Sequence, residues 1–178
     1  TGAGSRIAII DTGADVDHPS LDPDALKYAL QGSNATIMTE ADLTDEVLNQ
    51  LNAYTRKAGL TAADFYVNEK ILFGFNYVDA DTDITHDNDT QGDHGSHVTG
   101  IAAGNRFVKD EAGNYVAALD SVMTQGVAPD AQILTMKVFG KGGGAYDSDY
   151  MVAIEDAMVL GADAANLSLG GSFPGYSE

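Results

Sequence analysis

Two short segments of the 178-residue sequence carry residue types able to do chemistry. The first is Ile9-Ile10-Asp11-Thr12-Gly13, an aspartate placed just past an apolar run. The second is Asp93-His94-Gly95-Ser96-His97-Val98-Thr99-Gly100. A histidine in the first turn of a helix, with glycine beside it, is accessible, and the positive end of the helix disfavours its protonation. A carboxylate such as that of Asp11 would offset this and fix which ring nitrogen carries the proton. Taken singly, each residue also has a plain reading: Asp11 capping a turn, and His94 a satisfied surface or core side chain.

The elements around these segments must bring them together. Arg6 to Ile10 is short, almost wholly apolar and β-branched at Ile7, Ile9 and Ile10, which reads as a strand buried on both faces of a parallel sheet. Ile71 to Val78, Ile133 to Val138 and Ala164 to Ser168 are further strands. An aspartate at the C-terminal end of such a strand lies where open α/β sheets place their sites. Leu43, Val47, Leu48, Leu51 and Tyr54 recur at helical spacing, with Gly59 as the stop, and Thr61 with Asp64 predicts the capped start of another helix. His94 to Gly104 reads as a small-residue helix that neighbours can approach closely. Met151, Ile154, Ala157 and Met158 give a helix ended by Gly161. Phe107 to Gln125 is an excursion turning at Ala112-Gly113-Asn114. The alternation predicts an α/β fold, a parallel β-sheet flanked by helices on both faces.

The two segments together resemble the aspartate and histidine signatures of the subtilisin-like serine proteases, the subtilases. Gly126-Val127-Ala128-Pro129, leading into Ala131 to Val138, is similar to that family's turn into a strand beside the cleft. Asn166-Leu167-Ser168-Leu169-Gly170-Gly171 is similar to its specificity-pocket strand end. The resemblance implies a serine endopeptidase, with His94 as general acid and base and Asp11 as its orienter. It implies that His97 packs inside its helix. It also implies a polypeptide substrate held between an extended Gly142-Gly143-Gly144 and a facing wall of Ser168, Leu169 and Gly170, with Tyr146 bordering an outer subsite. As a flexible loop, the glycine run has a plain reading too. The family's usual workplace implies a secreted or cell-wall-associated protein.

The sequence departs from the pattern in three ways. No Gly-Thr-Ser occurs, so the nucleophile and the oxyanion asparagine are absent from these residues. The chain is therefore expected to be a partial catalytic domain over 1–178, incomplete at its C-terminus and inactive alone. The separation of Asp11 from His94 is long, which points to a helical insertion at about 33–69, lying on the surface or serving as a flap. Ala164 and Ala165 stand where the family has larger aliphatics.

Composition narrows the classes further. Nine basic residues against 27 acidic give a net charge of −18, which argues against nucleic acid as a partner. The absence of cysteine removes disulfides, thiolate zinc sites and a cysteine nucleophile together. No apolar run is long enough to span a membrane, and Thr1-Gly2-Ala3-Gly4 reads as a turn leading into a strand rather than a signal peptide. The chemistry implied requires no cofactor. Asp79, Asp81, Asp83, Asp87 and Asp89 offer the hard oxygen ligands that structural Ca²⁺ takes, although the EF-hand positions fail at Ile84 and Thr90. Two other classes stay open: an aspartic protease, for which a second Asp-Thr-Gly is missing, and an acidic Ca²⁺-stabilised binding module on a subtilase-like scaffold.

Overall fold

A strand with the composition of Arg6–Asp11 offers water no polar face, so it must be covered on both sides. The computed structural model, which describes residues 1–87, 89–121 and 124–170, does this with a sheet between two helical layers. In chain order the elements are β1 (Arg6–Asp11), α1 (Pro23–Ala29), α2 (Asp45–Leu48), α3 (Asn52–Arg56), α4 (Ala62–Phe65), β2 (Ile71–Asn76), α5 (His94–Ala103), β3 (Phe107–Lys109), β4 (Tyr115–Ala117), α6 (Ala118–Ser121), β5 (Gln132–Lys137), α7 (Asp147–Val159) and β6 (Ala164–Asn166). The main sheet runs β2-β5-β1-β6, and every pairing in it is parallel.

Side chains alternate across the sheet with the period of two that a strand imposes. Ala8 and Ile10 of β1 join Leu134 and Met136 of β5 in one cluster with Ala53, Phe65, Ala153 and Ala157 from α3, α4 and α7. Ile9 and Ile133 join Val98 and Ala103 of α5 in a second cluster. A register shift between Ile71 and Phe73 lets the consecutive residues Leu72 and Phe73 both enter the first cluster.

Several local expectations are corrected. The spacing from Leu43 to Tyr54 predicts one helix, but the structure breaks it between α2 and α3, with Leu51 extended at φ −81° and ψ 134°. The cause is tertiary: the Asp156 carboxylate of α7 accepts the N–H groups of Asn52 at 2.7 Å and Ala53 at 2.9 Å, capping a new helix start. The stretch 33–69, expected to lie on the surface or to serve as a flap, sends Leu43, Leu48, Leu51, Ala53 and Phe65 into the core. Burying each of the larger ones stabilises the fold by roughly 1.5–3 kcal/mol. The excursion after Phe107 contains an antiparallel hairpin, β3 with β4, and Gly113 turns it at φ +83°. Helix α1, entered through Pro23 and capped by Asp22, was not anticipated. The capped start at Thr61 is present as expected, with the Asp64 carboxylate accepting the Thr61 N–H at 2.6 Å.

The two edges of the sheet differ. All six residues of β2 are buried, whereas Ala164 and Ala165 of β6 are exposed, and β6 stops at Asn166, short of the expected Ser168. Next to β6 in sequence, α7 leaves Met151 and Met158 largely exposed. No helix among the described residues is long and apolar enough to cross a membrane.

Candidate active site

The strand order places β1 between β5 and β6, so Asp11 at its C-terminal end is flanked by the loops that leave those two neighbours. The same edge receives the aspartate-rich loop that follows β2 and leads into α5. Four segments that carry candidate residues therefore meet at one end of a parallel sheet, where such sheets build their sites.

Asp11 is buried, at 1% exposure, and its Oδ1 lies 2.8 Å from Nδ1 of His94, 83 residues away. The Thr12 N–H donates to the same oxygen at 2.7 Å, so the carboxylate is held by its own backbone. A carboxylate facing Nδ1 favours the proton there and leaves the Nε2 lone pair free. The His94 side chain is about half exposed, at 51%, so its outer edge reaches solvent while its inner edge is fixed. A half-open imidazole backed by a buried carboxylate can accept and return a proton.

This contact depends on backbones approaching too closely for side chains. A Cβ on Gly95 would lie 2.1 Å from the Gly13 carbonyl oxygen, and one on Gly13, which sits at φ +110°, would lie 2.2 Å from the Ile84 oxygen. Glycine at both positions lets the first turn of α5 rest on the turn after β1. The Gly95 N–H then donates to Thr12 Oγ1 at 2.8 Å and locks that seat. At the other end of α5, Gly126 to Ala128 lies along the helix terminus through Val127 N–H to Ile101 O at 3.0 Å and carries the chain toward β5.

The segments expected to hold substrate flank Asp11 in the strand order, but the glycine run differs from its expected extended conformation. Gly142, Gly143 and Gly144 are curled rather than extended: Gly143 N–H donates to Gly140 O and Gly140 N–H to Gly144 O, both at 2.9 Å. A Cβ on Gly143 would come within 3.0 Å or less of Gln91 Nε2 and Thr90 Oγ1, so this turn abuts the loop that leads to His94. Tyr146 is exposed beside Gly144. Ser168 and Gly170 are exposed after β6, Leu169 is partly buried against the first cluster, and Ser168 Oγ donates to Asn166 Oδ1 at 2.8 Å. Gly171 lies outside the described residues.

His97 does not pack inside its helix. It is exposed and lines a groove of about 680 Å³ together with His18, His86, Ile101 and Val127. The reason is helical phase: Val98 and Thr99 take the inward positions of α5, which leaves His97 turned outward.

The aspartates of the loop after β2 are largely engaged by protein groups. Asp79 Oδ2 accepts from Asn76 Nδ2 and the Lys141 N–H, and Asp89 pairs with Lys137. Lys141 lies 3.6 Å from Asp81 and 3.2 Å from Asp83. The Thr85 hydroxyl holds the Asp83 carboxyl below the usual carboxylate range, and the bond to Asp83 raises Lys141 above the usual lysine value. No three acidic or histidine side chains among the described residues come together as a metal-ligand set. Lys141 is thus a counter-charge to Asp81 and Asp83 within the loop.

The profile of the subtilase family matches residues 2–178. The chain belongs to the subtilase family. Its subtilase relatives include the "PI-type proteinase" of Lactococcus lactis subsp. cremoris, 35% identical over 176 residues that cover 95% of this chain and 8% of that protein. The "Minor extracellular protease Vpr" of Bacillus subtilis is 29% identical, over 97% of this chain and 14% of the relative. The "C5a peptidase" of Streptococcus pyogenes is also 29% identical, over 99% and 13%. The chain thus spans a small part of the length of these relatives.

Reading the sequence missed Lys137 at this site, took Asp89 only as one of the aspartates offered to Ca²⁺, and gave Thr12 no role beyond its place in the Asp11 motif. Thr12 receives α5, and Lys137 and Asp89 form an ion pair beside it. The signal for Lys137 was available, since it is the one charged residue in β5, a strand otherwise fit for complete burial.

Proposed function

We propose that the chain is the part of a serine endopeptidase domain that carries the general base and its orienting carboxylate, and that it acts on polypeptide substrates by acyl transfer. The observation that supports this most directly is the 2.8 Å contact between Asp11 Oδ1 and His94 Nδ1 at the C-terminal edge of the sheet in a member of this family. His94 takes the proton of a serine hydroxyl as it attacks the peptide carbonyl and returns it to the leaving amine. Asp11 stays ionised and orients the ring. That division of labour is carried over from well-studied Ser-His-Asp enzymes, subtilisins among them. Gly142, Gly143 and Gly144 on one side, and Ser168, Leu169 and Gly170 on the other, border the cleft that receives the substrate backbone. The chemistry requires no cofactor.

The 178 residues contain no Gly-Thr-Ser, so on this reading the chain alone is inert toward peptide bonds, and a following portion of the same domain supplies the nucleophile and oxyanion donor. The likeness to the minor extracellular protease Vpr supports a secreted or wall-attached setting. The same missing motif favours a second reading, a non-catalytic binding module on a subtilase scaffold. The test has two arms. An acylating serine reagent should leave the 178-residue chain unlabelled. In the longest natural form of the protein, Asp11→Asn should lower kcat for peptide hydrolysis by about 10⁴-fold, the size seen for the equivalent change in other triads. Labelling of the 178-residue chain would overturn the inertness reading. Undiminished hydrolysis in Asp11→Asn would overturn the catalytic assignment, and a longest form without hydrolysis would favour the binding module.

A further inference from the structure

Lys137 ends β5 directly across from Asp11 in the parallel register, and its side chain is fully buried, at 0% exposure. Its ammonium donates to the Thr12 carbonyl at 2.6 Å and to Asp89 Oδ2 at 2.5 Å, with the Asp89 side chain only 2% exposed. Thr12 is thereby held at three points. Its carbonyl takes Lys137, its N–H goes to Asp11 Oδ1, and its hydroxyl accepts the Gly95 N–H beside His94. Asp89 belongs to the loop that runs into α5, and its neighbours Thr90 and Gln91 border Gly143. One ion pair therefore ties the strand end that carries the carboxylate, the turn that seats the helix, and the loop that delivers the imidazole.

Stability alone does not call for such a pair. Two charges taken out of water regain in mutual attraction about what they lose in hydration, and a well-packed apolar pair often does as well or better. An apolar pair cannot place a donor on the Thr12 carbonyl or fix the direction from which the loop enters. We propose that Lys137 and Asp89 are positioning residues for the Asp11–His94 couple, holding Thr12 so that carboxylate and imidazole meet in one geometry. This rests on the general-base reading given above.

The test is the low-field imidazole Nδ1 proton of His94, observed by NMR in the 178-residue chain at low temperature, together with its rate of exchange with water. The decisive variant combines Lys137→Met with Asp89→Asn, which leaves no buried charge unpaired. It should fold, with α7 and β6 amide signals unchanged, while the Nδ1 proton exchanges about tenfold faster or more because the pair opens more often. Asp89→Glu, which keeps the charge, should retain slow exchange. Wild-type exchange in the neutral-pair variant overturns the assignment. Failure of that variant to fold also overturns it, because the pair is then a folding element. A wild-type chain with no bonded Nδ1 proton overturns the Asp11–His94 reading itself, and this assignment with it.

Discussion

Asp156 on α7 reaches across to the backbone of α3, and its Oδ2 accepts both the Ala53 N–H at 2.9 Å and the Tyr77 hydroxyl at 2.8 Å. Its Oδ1 takes the Asn52 N–H, so a single buried carboxylate joins two helices to the residue following β2. Asp156→Ala should cost about 2–4 kcal/mol, combining a lost helix cap with buried donors left unpaired. Tyr77→Phe, which removes one donor only, should cost about 1 kcal/mol. Urea denaturation of the two variants checks the ranking. Equal losses would mean that the caps on α3 contribute nothing.

Gly95→Ala places a methyl carbon 2.1 Å from the Gly13 oxygen, a distance at which one backbone must move. Helix α5 should back away from the turn, at a cost of about 1–3 kcal/mol. The Thr12–Gly95 and Asp11–His94 contacts should weaken together. The measurement is loss of the His94 Nδ1 proton signal in a chain that still unfolds cooperatively. Retention of that signal would show that the seat tolerates a side chain.

Burial pushes the Lys70 ammonium down from 10.5 to about 7, against a weaker opposing pull from Asp130. Between those values the unfolded lysine holds a proton that the folded one has released. Stability from this group therefore rises with pH across that window, and it is lost as pH falls back through about 7. Denaturant midpoints of the wild type should climb from pH 7 toward pH 10, and Lys70→Met should flatten the climb. Parallel curves for the two proteins would refute the linkage.

Because Lys141 bridges Asp81 and Asp83, the acidic loop has an internal counter-charge. The melting temperature should be the same in millimolar Ca²⁺ as in excess chelator. A stabilisation that grows with Ca²⁺ concentration would reveal a site by mass action.

Reading the residues alone recovered the parallel core because Ile7, Ile9 and Ile10 allow β1 no exposed face, and the couple of Asp11 with His94 because both lie in short, specific patterns. It failed where the deciding partner lay far along the chain. The break between α2 and α3 is imposed by Asp156, more than 100 residues away from Asn52. The outward turn of His97 follows from which residues of α5 face the sheet, a phase that spacing within one helix does not settle. The curl at Gly142 to Gly144 is fixed by backbone bonds that Gly143 permits at φ +84°, and glycine is compatible with both curled and extended chain. Lys137 is conspicuous as the one charged residue of β5, but its partner is not legible locally, because Asp89 lies 48 residues away along the chain.

The bare flank at β6 bears on handling the chain in solution. Among the described residues β6 is an edge strand, and its outer backbone groups with the small, exposed side chains of Ala164 and Ala165 form a flat template onto which another polypeptide can add as a strand. At high concentration, oligomers should therefore nucleate there rather than at β2, and a Lys or Pro introduced at position 164 or 165 is the substitution that should keep the chain monodisperse.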